Sequence, residues 1–213
     1  MSAFTNGALL EDVELAGECV RLVPVHPRFA PRAFALLYRN ESVLRWLLWD
    51  GPETEDELAQ SFATWTRDAE DGADYRMAVL DRATDEIVGT IATRFGGNAG
   101  AADLGYWLAP TEWGRGLMSE AVRLTAHLSF RHLAARALSA SVFVGNVGSR
   151  RVLEKNGFLM VHTARQNARK GDRLVDEWCF ALSRHDHDAC TAGWEPRIDR
   201  VTWRDGGDAP VRG

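Results

Sequence analysis

The side chains that could do chemistry gather between Asp103 and Phe158. Two turns stand out there: Trp113-Gly114-Arg115-Gly116, and Asn146-Val147-Gly148-Ser149-Arg150-Arg151-Val152-Leu153-Glu154-Lys155-Asn156-Gly157-Phe158. Paired glycines leave a turn without bulk, so backbone N–H groups can approach a ligand closely. A helix that starts at such a turn leaves its first N–H groups without intrahelical partners, and the positive end of its dipole faces the same point. That arrangement holds an anion, and with Arg115 alongside, the natural guest is a diphosphate. Gly-x-Gly alone is a weak signal, because the same turn also simply joins a strand to a helix. Two sharper motifs are excluded. No Gly-Lys-Ser/Thr run follows four spacer residues, as a Walker loop requires. The dinucleotide fingerprint asks for a third glycine where this chain has Ser119, and for an acid about 20 residues later, where Ala134, Ala135 and Arg136 stand. NAD is therefore a poor candidate.

The elements that must position these turns are legible from periodicity. Leu104, Tyr106 and Leu108 alternate as a half-buried strand would, and Pro110 ends the ladder because it has no N–H. Leu117, Ala121, Leu124, Thr125 and Leu128 then recur at helical spacing. Leu138, Ala140, Val142 and Val144 alternate again, predicting a strand over Ala137–Val144 beside the first. The next turn opens a short helix, Arg150–Asn156, that Gly157 closes as a C-terminal cap. Each strand thus delivers a helix N-terminus. If the strands are neighbours and splay apart, a long ligand fits between them, its diphosphate on the first helix and an amide arm near Asn146.

Taken in order, these motifs resemble the GNAT superfamily of N-acetyltransferases, in particular its RimJ/RimL type. The likeness runs from Glu18 to roughly Arg184 and rests on Glu18-Cys19-Val20-Arg21-Leu22-Val23-Pro24 as an opening strand, Glu86-Ile87-Val88-Gly89-Thr90-Ile91 as the second strand of a hairpin, Asp103-Leu104-Gly105-Tyr106-Trp107-Leu108, and the two turns above. It implies a single α/β domain whose mixed, strongly twisted sheet is flanked by helices, with a cofactor cleft between two splayed parallel strands. Residues 1–17 are then a lead-in and 185–213 a C-terminal extension. It also implies acetyl-CoA as donor, its pyrophosphate held by the main chain of Trp113, Gly114, Arg115, Gly116, Leu117, Met118 and Ser119, and its pantetheine arm paired with the strand edge near Leu108 and with Asn146. Lys155 and Arg151 could reach phosphates, of which Lys155 is the assigned one. Where the family usually has a small residue, this chain has Met118, whose thioether could fold into the helix packing or crowd the diphosphate.

The reaction so implied is attack by a neutral amine on a thioester. An alkyl amine of pKa near 10 is almost wholly protonated at neutral pH, whereas a peptide α-amine near 8 is roughly a tenth free. Asp103 and Glu112, at the two ends of the central strand, are candidates to take the proton, directly or through a water; as exposed carboxylates they also have an ordinary surface reading. Ser149 is the candidate donor to the leaving thiolate, although a hydroxyl at a helix start also commonly caps the first turn. RimJ/RimL-like members carry a serine there where many relatives have a tyrosine. The favoured acceptor is a protein N-terminus; small amines (a polyamine, an amino sugar, an antibiotic) and a silent acyl-CoA-binding module are the alternatives.

Composition agrees. At 213 residues the chain can build one domain with an ample core, and no repeat is visible. Three cysteines argue against a disulfide framework; Cys19 and Cys179 read as small core residues in strands, and Cys190 falls in the tail. The start has no signal-like run and no apolar stretch could span a bilayer, so a cytoplasmic protein without a membrane partner is expected. A net charge of −5 argues against nucleic acid and suits a cationic amine. Glu53, Glu55, Asp56, Glu57, Asp68, Glu70, Asp71 and Asp74 could steer amines, or simply solvate a helix that turns Leu58, Phe62 and Trp65 to the core. Trp46, Trp49, Trp65 and Trp107 concentrate near the same wall; most read as core residues, while the loop signal at Asp50-Gly51-Pro52 would let one tryptophan line an acceptor mouth. Trp178, Phe180 and Leu182 alternate as a last strand. His185-Asp186-His187-Asp188 with Cys190 reads as a polar tail rather than a metal site, so no metal is assigned. Trp194, Ile198, Val201 and Trp203 make the final stretch too apolar for a free tail; it packs on the domain or against another subunit of a homodimer.

Overall fold

Short apolar alternations recur along the chain, and each one finds a neighbour in a single sheet. The computed structural model describes residues 13–70, 74–96 and 100–200; the side chains of 67–70 and of Arg200 are not described, so Asp68, Glu70, Asp71, Val201 and Trp203 lie outside the account. In chain order the elements are β1 (Val13–Ala16), β2 (Val20–Pro24), α1 (Ala30–Leu37), α2 (Glu41–Leu44), α3 (Glu55–Glu70), β3 (Asp74–Asp81), β4 (Ile87–Phe95), β5 (Ala101–Leu108), α4 (Leu117–Arg131), β6 (Ala137–Phe143), α5 (Val147–Lys155), β7 (Leu159–Lys170), β8 (Arg173–Ser183), α6 (Arg184–Cys190) and β9 (Arg197–Arg200). The nine strands lie in the order β7-β8-β6-β5-β4-β3-β2-β1-β9.

Helices cover both faces of the sheet. On one face α4 and α5 bury Leu117, Met118, Ala121, Leu124, Leu128 and Leu153 against strand residues such as Leu22, Leu104, Leu138, Ala140 and Val142. On the other, α1 and α3 bury Ala33, Leu37, Leu58 and Phe62 against Ala78, Leu80, Ile87 and Trp107. The expected inward turn of Leu58, Phe62 and Trp65 is therefore what the helix does, while Asp74 belongs to β3 and is paired with Arg76 at 2.7 Å.

The two ends of the described chain meet at one edge of the sheet. β1 pairs antiparallel with both β2 and β9, placing Leu15 opposite Leu22 and Ile198. Four-residue strands have little stability alone and exist here because neighbours satisfy their backbone groups. Two readings of single segments change. Cys19 is exposed, in the bend between β1 and β2, where Glu120 of α4 accepts its N–H, so it is not a core residue. The His185-Asp186-His187-Asp188 run is not a polar tail: Ser183 caps it as α6, and His187 is buried beside Phe130. Among the described residues no His, Cys, Asp and Glu side chains group as a metal would need. Trp194 packs edge-on to His127 of α4, with Arg123 over its ring.

Candidate active site

The parallel junction of the sheet creates the site. β5 and β6 pair only at Ala101 with Ala137, Ala102 with Leu138 and Asp103 with Ser139. Beyond Asp103, β5 continues to Leu108 with its ladder to β4 intact, while β6 continues to Phe143 with its ladder to β8 intact. Each strand is held on its outer edge and released on its inner one. The gap between them therefore exposes the backbone N–H and C=O groups of alternate residues along Leu104–Leu108, those not turned to β4, with which a strand-like ligand could pair.

At the C-terminal end of β5 the chain makes one 3-10 turn, Pro110–Glu112, and then enters α4 through Gly114 and Gly116 at φ 81° and 83°. Both sit in the left-handed region, where a Cβ is unfavourable, and a Cβ at either would point into open space. No side chain caps α4, and among the described residues none accepts from the N–H groups of Leu117, Met118 or Ser119. Donors, dipole and empty space therefore coincide, which is the fit a diphosphate requires. Met118 is 4% exposed and packs in the α4 core, so its thioether is folded inward and leaves the amides clear. Leu117 is buried with it.

The neighbouring side chains are committed to the turn. Arg115 bridges Asp81, at 2.7 Å, and Glu112. Asp81 is held below its ordinary pKa, first by the Ala83 N–H and then, against the effect of burial, by Arg115; Arg115 is raised by the same two carboxylates, Asp81 ahead of Glu112. The Trp113 indole is half exposed and donates to the Leu108 carbonyl at 2.9 Å, folding the turn back on the strand end. Glu120, in the first turn of α4, accepts backbone N–H bonds from Glu18, Cys19 and Val20 at 2.5, 2.8 and 2.9 Å, which anchors the helix start to the β1–β2 bend.

Across the gap, Asn146 caps α5: its Oδ1 accepts from the Ser149 N–H at 3.1 Å, which leaves its amide NH₂ to donate elsewhere. The Ser149 hydroxyl is not the cap. It lies 2.8 Å from the phenol oxygen of Tyr106, on β5, with either oxygen able to donate, and the Ser149 carbonyl lies 3.2 Å from the same phenol as a second acceptor for its single proton. Burial pushes the Tyr106 phenol above its ordinary pKa, with the Ser149 hydrogen bond acting the other way, so it keeps its proton. Tyr106 was legible only as one member of an alternating strand; its meeting with Ser149 spans 43 positions of sequence, and no local pattern carries it.

The two candidate bases do not meet. Asp103 sits where the strands part, ion-paired with Arg94 of β4, and Glu112 sits at the other end of β5 in the Arg115 pair. Lys155 is exposed in the last turn of α5, with no ion pair among the described residues. Over the gap's far side, the Trp46 ring lies 3.7 Å from where a Gly145 Cβ would stand, and Lys170 at the β7–β8 tip donates to the Trp49 carbonyl at 3.0 Å and pairs with Asp50. A wall of aromatic loop and hairpin thus closes on the strand gap.

The profile of the acetyltransferase (GNAT) domain family matches residues 20–159. YjcK of Bacillus subtilis (strain 168), named a probable N-acetyltransferase, is 32% identical over 115 residues, covering 53% of this chain and 64% of YjcK, just under two thirds of that relative's length. YoaA of the same organism, named an uncharacterized N-acetyltransferase, is 26% identical over 130 residues, 61% of this chain and 73% of YoaA. Among solved structures, Mycobacterium smegmatis RimJ in complex with CoA-disulfide superposes with a TM-score of 0.73 at 18% identity, over 82% of this chain and 87% of RimJ. RimL, a ribosomal L7/L12 alpha-N-protein acetyltransferase, superposes at 0.71 and 21% identity, over 80% of this chain and 94% of RimL. No described helix is long and apolar enough to cross a membrane. The split parallel junction, the uncapped helix start and the matched profile agree: this chain belongs to the GNAT acetyltransferase family.

Proposed function

We propose that the protein transfers an acetyl group from acetyl-CoA to a primary amine in a ternary complex, and that the acceptor is the α-amine of a protein chain. The observation that carries this reading is the parting of β5 and β6 beyond Asp103, with the uncapped start of α4 on one side and Ser149 on the other. Bound acetyl-CoA supplies a thioester, whose C–S bond is exchanged for the C–N bond of an amide. Main-chain N–H groups from Gly114 to Ser119 would hold the diphosphate, the free edge of Leu104–Leu108 and the Asn146 amide would hold the pantetheine arm, and Lys155 would screen phosphate charge.

Ser149 is the group we assign to the leaving sulfur. Its hydroxyl donates into the gap when the Tyr106 phenol donates to it, so the pair can move a hydrogen bond toward a developing thiolate without either side chain titrating. Asp103 or Glu112 receives the amine proton, directly or through a water; each is ion-paired with an arginine, Arg94 and Arg115 respectively. Support for the α-amine comes from the fold neighbour RimL, an alpha-N-protein acetyltransferase, and from acid–base chemistry, since an α-amine is roughly a tenth neutral near pH 7 whereas an alkyl amine is almost fully protonated. Two measurements test this. Acetyl-CoA at about 100 times its dissociation constant should add about 2.7 kcal/mol to the unfolding free energy, while NAD adds nothing. Mass spectrometry of peptides and small amines incubated with enzyme and acetyl-CoA should then show acetylated α-amines. Acetylation of polyamines or amino sugars alone would reassign the acceptor, and binding without any transfer would leave an acyl-CoA-binding module. Tyr106→Phe and Ser149→Ala should each lower kcat roughly 10-fold or more while the acetyl-CoA thermal shift persists; unchanged turnover in both would remove the pair from the mechanism.

A further inference from the structure

Glu177 of β8 is a carboxylate that the site described above does not use. It is 5% exposed, and its register places it opposite Phe143 of β6 and Ala164 of β7. Along β6, Leu138, Ala140 and Val142 turn to the α4 and α5 core, so Ser139, Ser141 and Phe143, and Glu177 with them, face the opposite side of the sheet. Asp103, paired with Ser139, faces that side too. Glu177 therefore lies at the released end of β6, on the face away from the diphosphate cradle.

The surroundings of this carboxylate are built but incomplete. Its Oε2 accepts a 2.6 Å hydrogen bond from Asn167 Nδ2. Asn167 reaches it from an irregularity in β7, where the pairing register shifts between Ala164 and Ala168, Gln166 takes φ 49°, and the Gln166 N–H donates to Asp176 Oδ1 at 2.8 Å. Such a bulge re-aims a side chain that a regular strand would point elsewhere. Oε1 has no hydrogen-bond partner among the described residues and yet is not one of the sealed, unpartnered polar atoms, so it keeps an opening to solvent. No lysine, arginine or histidine among the described residues pairs with it. A carboxylate this buried, supported by one neutral amide, is a costly arrangement unless a cation completes it.

We propose that Glu177, positioned by Asn167, receives the protonated primary amine of the acceptor on the face of the sheet opposite the cofactor cradle; this rests on the amine-acetylation reading above. An ammonium brings three donors and one positive charge, which is what Oε1 and the uncompensated charge require. The β7–β8 hairpin then has a recognition role as well as a docking role: its tip is tied to the Trp49–Asp50 loop, and its bulge presents Asn167 to Glu177.

The test is equilibrium binding, which does not depend on turnover. Calorimetry in the presence of CoA compares a hexapeptide with a free α-amine, the same peptide lacking that amine, and n-butylamine, in wild type and in Glu177→Gln. The wild type should bind the amine peptide at least 10-fold more tightly than its amine-free counterpart, and Glu177→Gln, which keeps shape and the Asn167 contact, should lose that preference while its acetyl-CoA thermal shift stays unchanged. A matching KM rise for the amine, with kcat at saturation nearly kept, should accompany it. Glu177-dependent binding of n-butylamine equal to that of the peptide would assign the site to small amines; dependence seen only with the peptide would assign it to chain termini. A wild type that binds both peptides equally overturns the proposal whatever the variant does, and so does a preference that survives in Glu177→Gln. Glu177-dependent amine binding without acetyl transfer would instead sink the enzymatic reading and leave this inference standing.

Discussion

Replacing Glu120 by alanine removes the link between the start of α4 and the β1–β2 bend, and the cost can be worked from the three hydrogen bonds it accepts. Those from Glu18 and Cys19 come from exposed amides, which water can take over, so about 0.5–1 kcal/mol each is expected; the one from Val20 is partly buried and should be worth about 1.5 kcal/mol. An acid in the first turn adds about 0.3–1 kcal/mol through the helix dipole. The sum is about 3–4.5 kcal/mol, which for a chain of this length corresponds to roughly 6–18 °C in Tm. Relaxation of the bend reduces it, because Gly17 still pairs with Val20 and Arg82 still donates to the Gly17 carbonyl. Urea unfolding followed by circular dichroism measures the free energy, and calorimetry measures Tm. Glu120→Gln should recover part of the loss, because its amide oxygen can accept from Cys19 and Val20 while its NH₂ is left facing the Glu18 N–H. A Glu120→Ala protein within 0.5 kcal/mol of wild type would refute the argument that this carboxylate holds the cradle helix in place.

Met118→Ala should lose about 2–5 kcal/mol of stability from the cavity it leaves, with acetyl-CoA affinity unchanged at equal fraction folded; a tenfold gain in affinity would mean that the thioether obstructs the cradle. Gly116→Ala meets open space but must hold φ 83°, so about 1–2 kcal/mol of strain is expected together with at least tenfold weaker acetyl-CoA binding by calorimetry; unchanged affinity would separate the glycine from the ligand. His187 is buried, and desolvation first, with His127 second, lowers its pKa to about 4. Above the ordinary histidine value of about 6.5 both folded and unfolded chains carry it neutral; as pH falls toward 4 only the unfolded chain gains the proton, so roughly 1–2 kcal/mol of stability should disappear between pH 6.5 and 5. Unfolding midpoints across that range measure it, and His187→Leu should flatten the slope; an identical slope in the variant would assign the loss to other groups.

The strands and helices around the site were readable because each has its own period. β5, α4, β6 and β8 each carry several apolar residues at strand or helix spacing, α5 is announced by its opening turn and its closing Gly157, and the glycines at 114, 116 and 157 mark boundaries that φ values of 81°, 83° and 81° impose. What was missed depends on partners far away in sequence. β1 and β9 carry too few residues to declare themselves: β1 forms between β2 and β9, and β9 forms on the edge that β1 offers. Tyr106 with Ser149 and Glu120 with the bend at Glu18–Val20 are contacts across 43 and about 100 positions. Cys19 was misread because its neighbours Val20 and Leu22 alternate as a strand does, and the alternation does not reveal that the strand begins one residue later. The bulge that turns Asn167 to Glu177 has no glycine or proline to announce it: its left-handed residue is Gln166.

Every other described pairing in the sheet is antiparallel, which makes the β5–β6 junction a tear line. Mechanically the sheet is a block of six strands, β9 to β5, and a block of three, β6, β8 and β7, stitched by three residue pairs and by the helices that lie across them. A strand-like ligand laid in that seam extends the stitching along the length of β5. Filling the site should therefore stiffen the whole molecule rather than one pocket, with amide exchange slowing along β5 and β6 together, and emptying it hands the two blocks back their freedom to breathe.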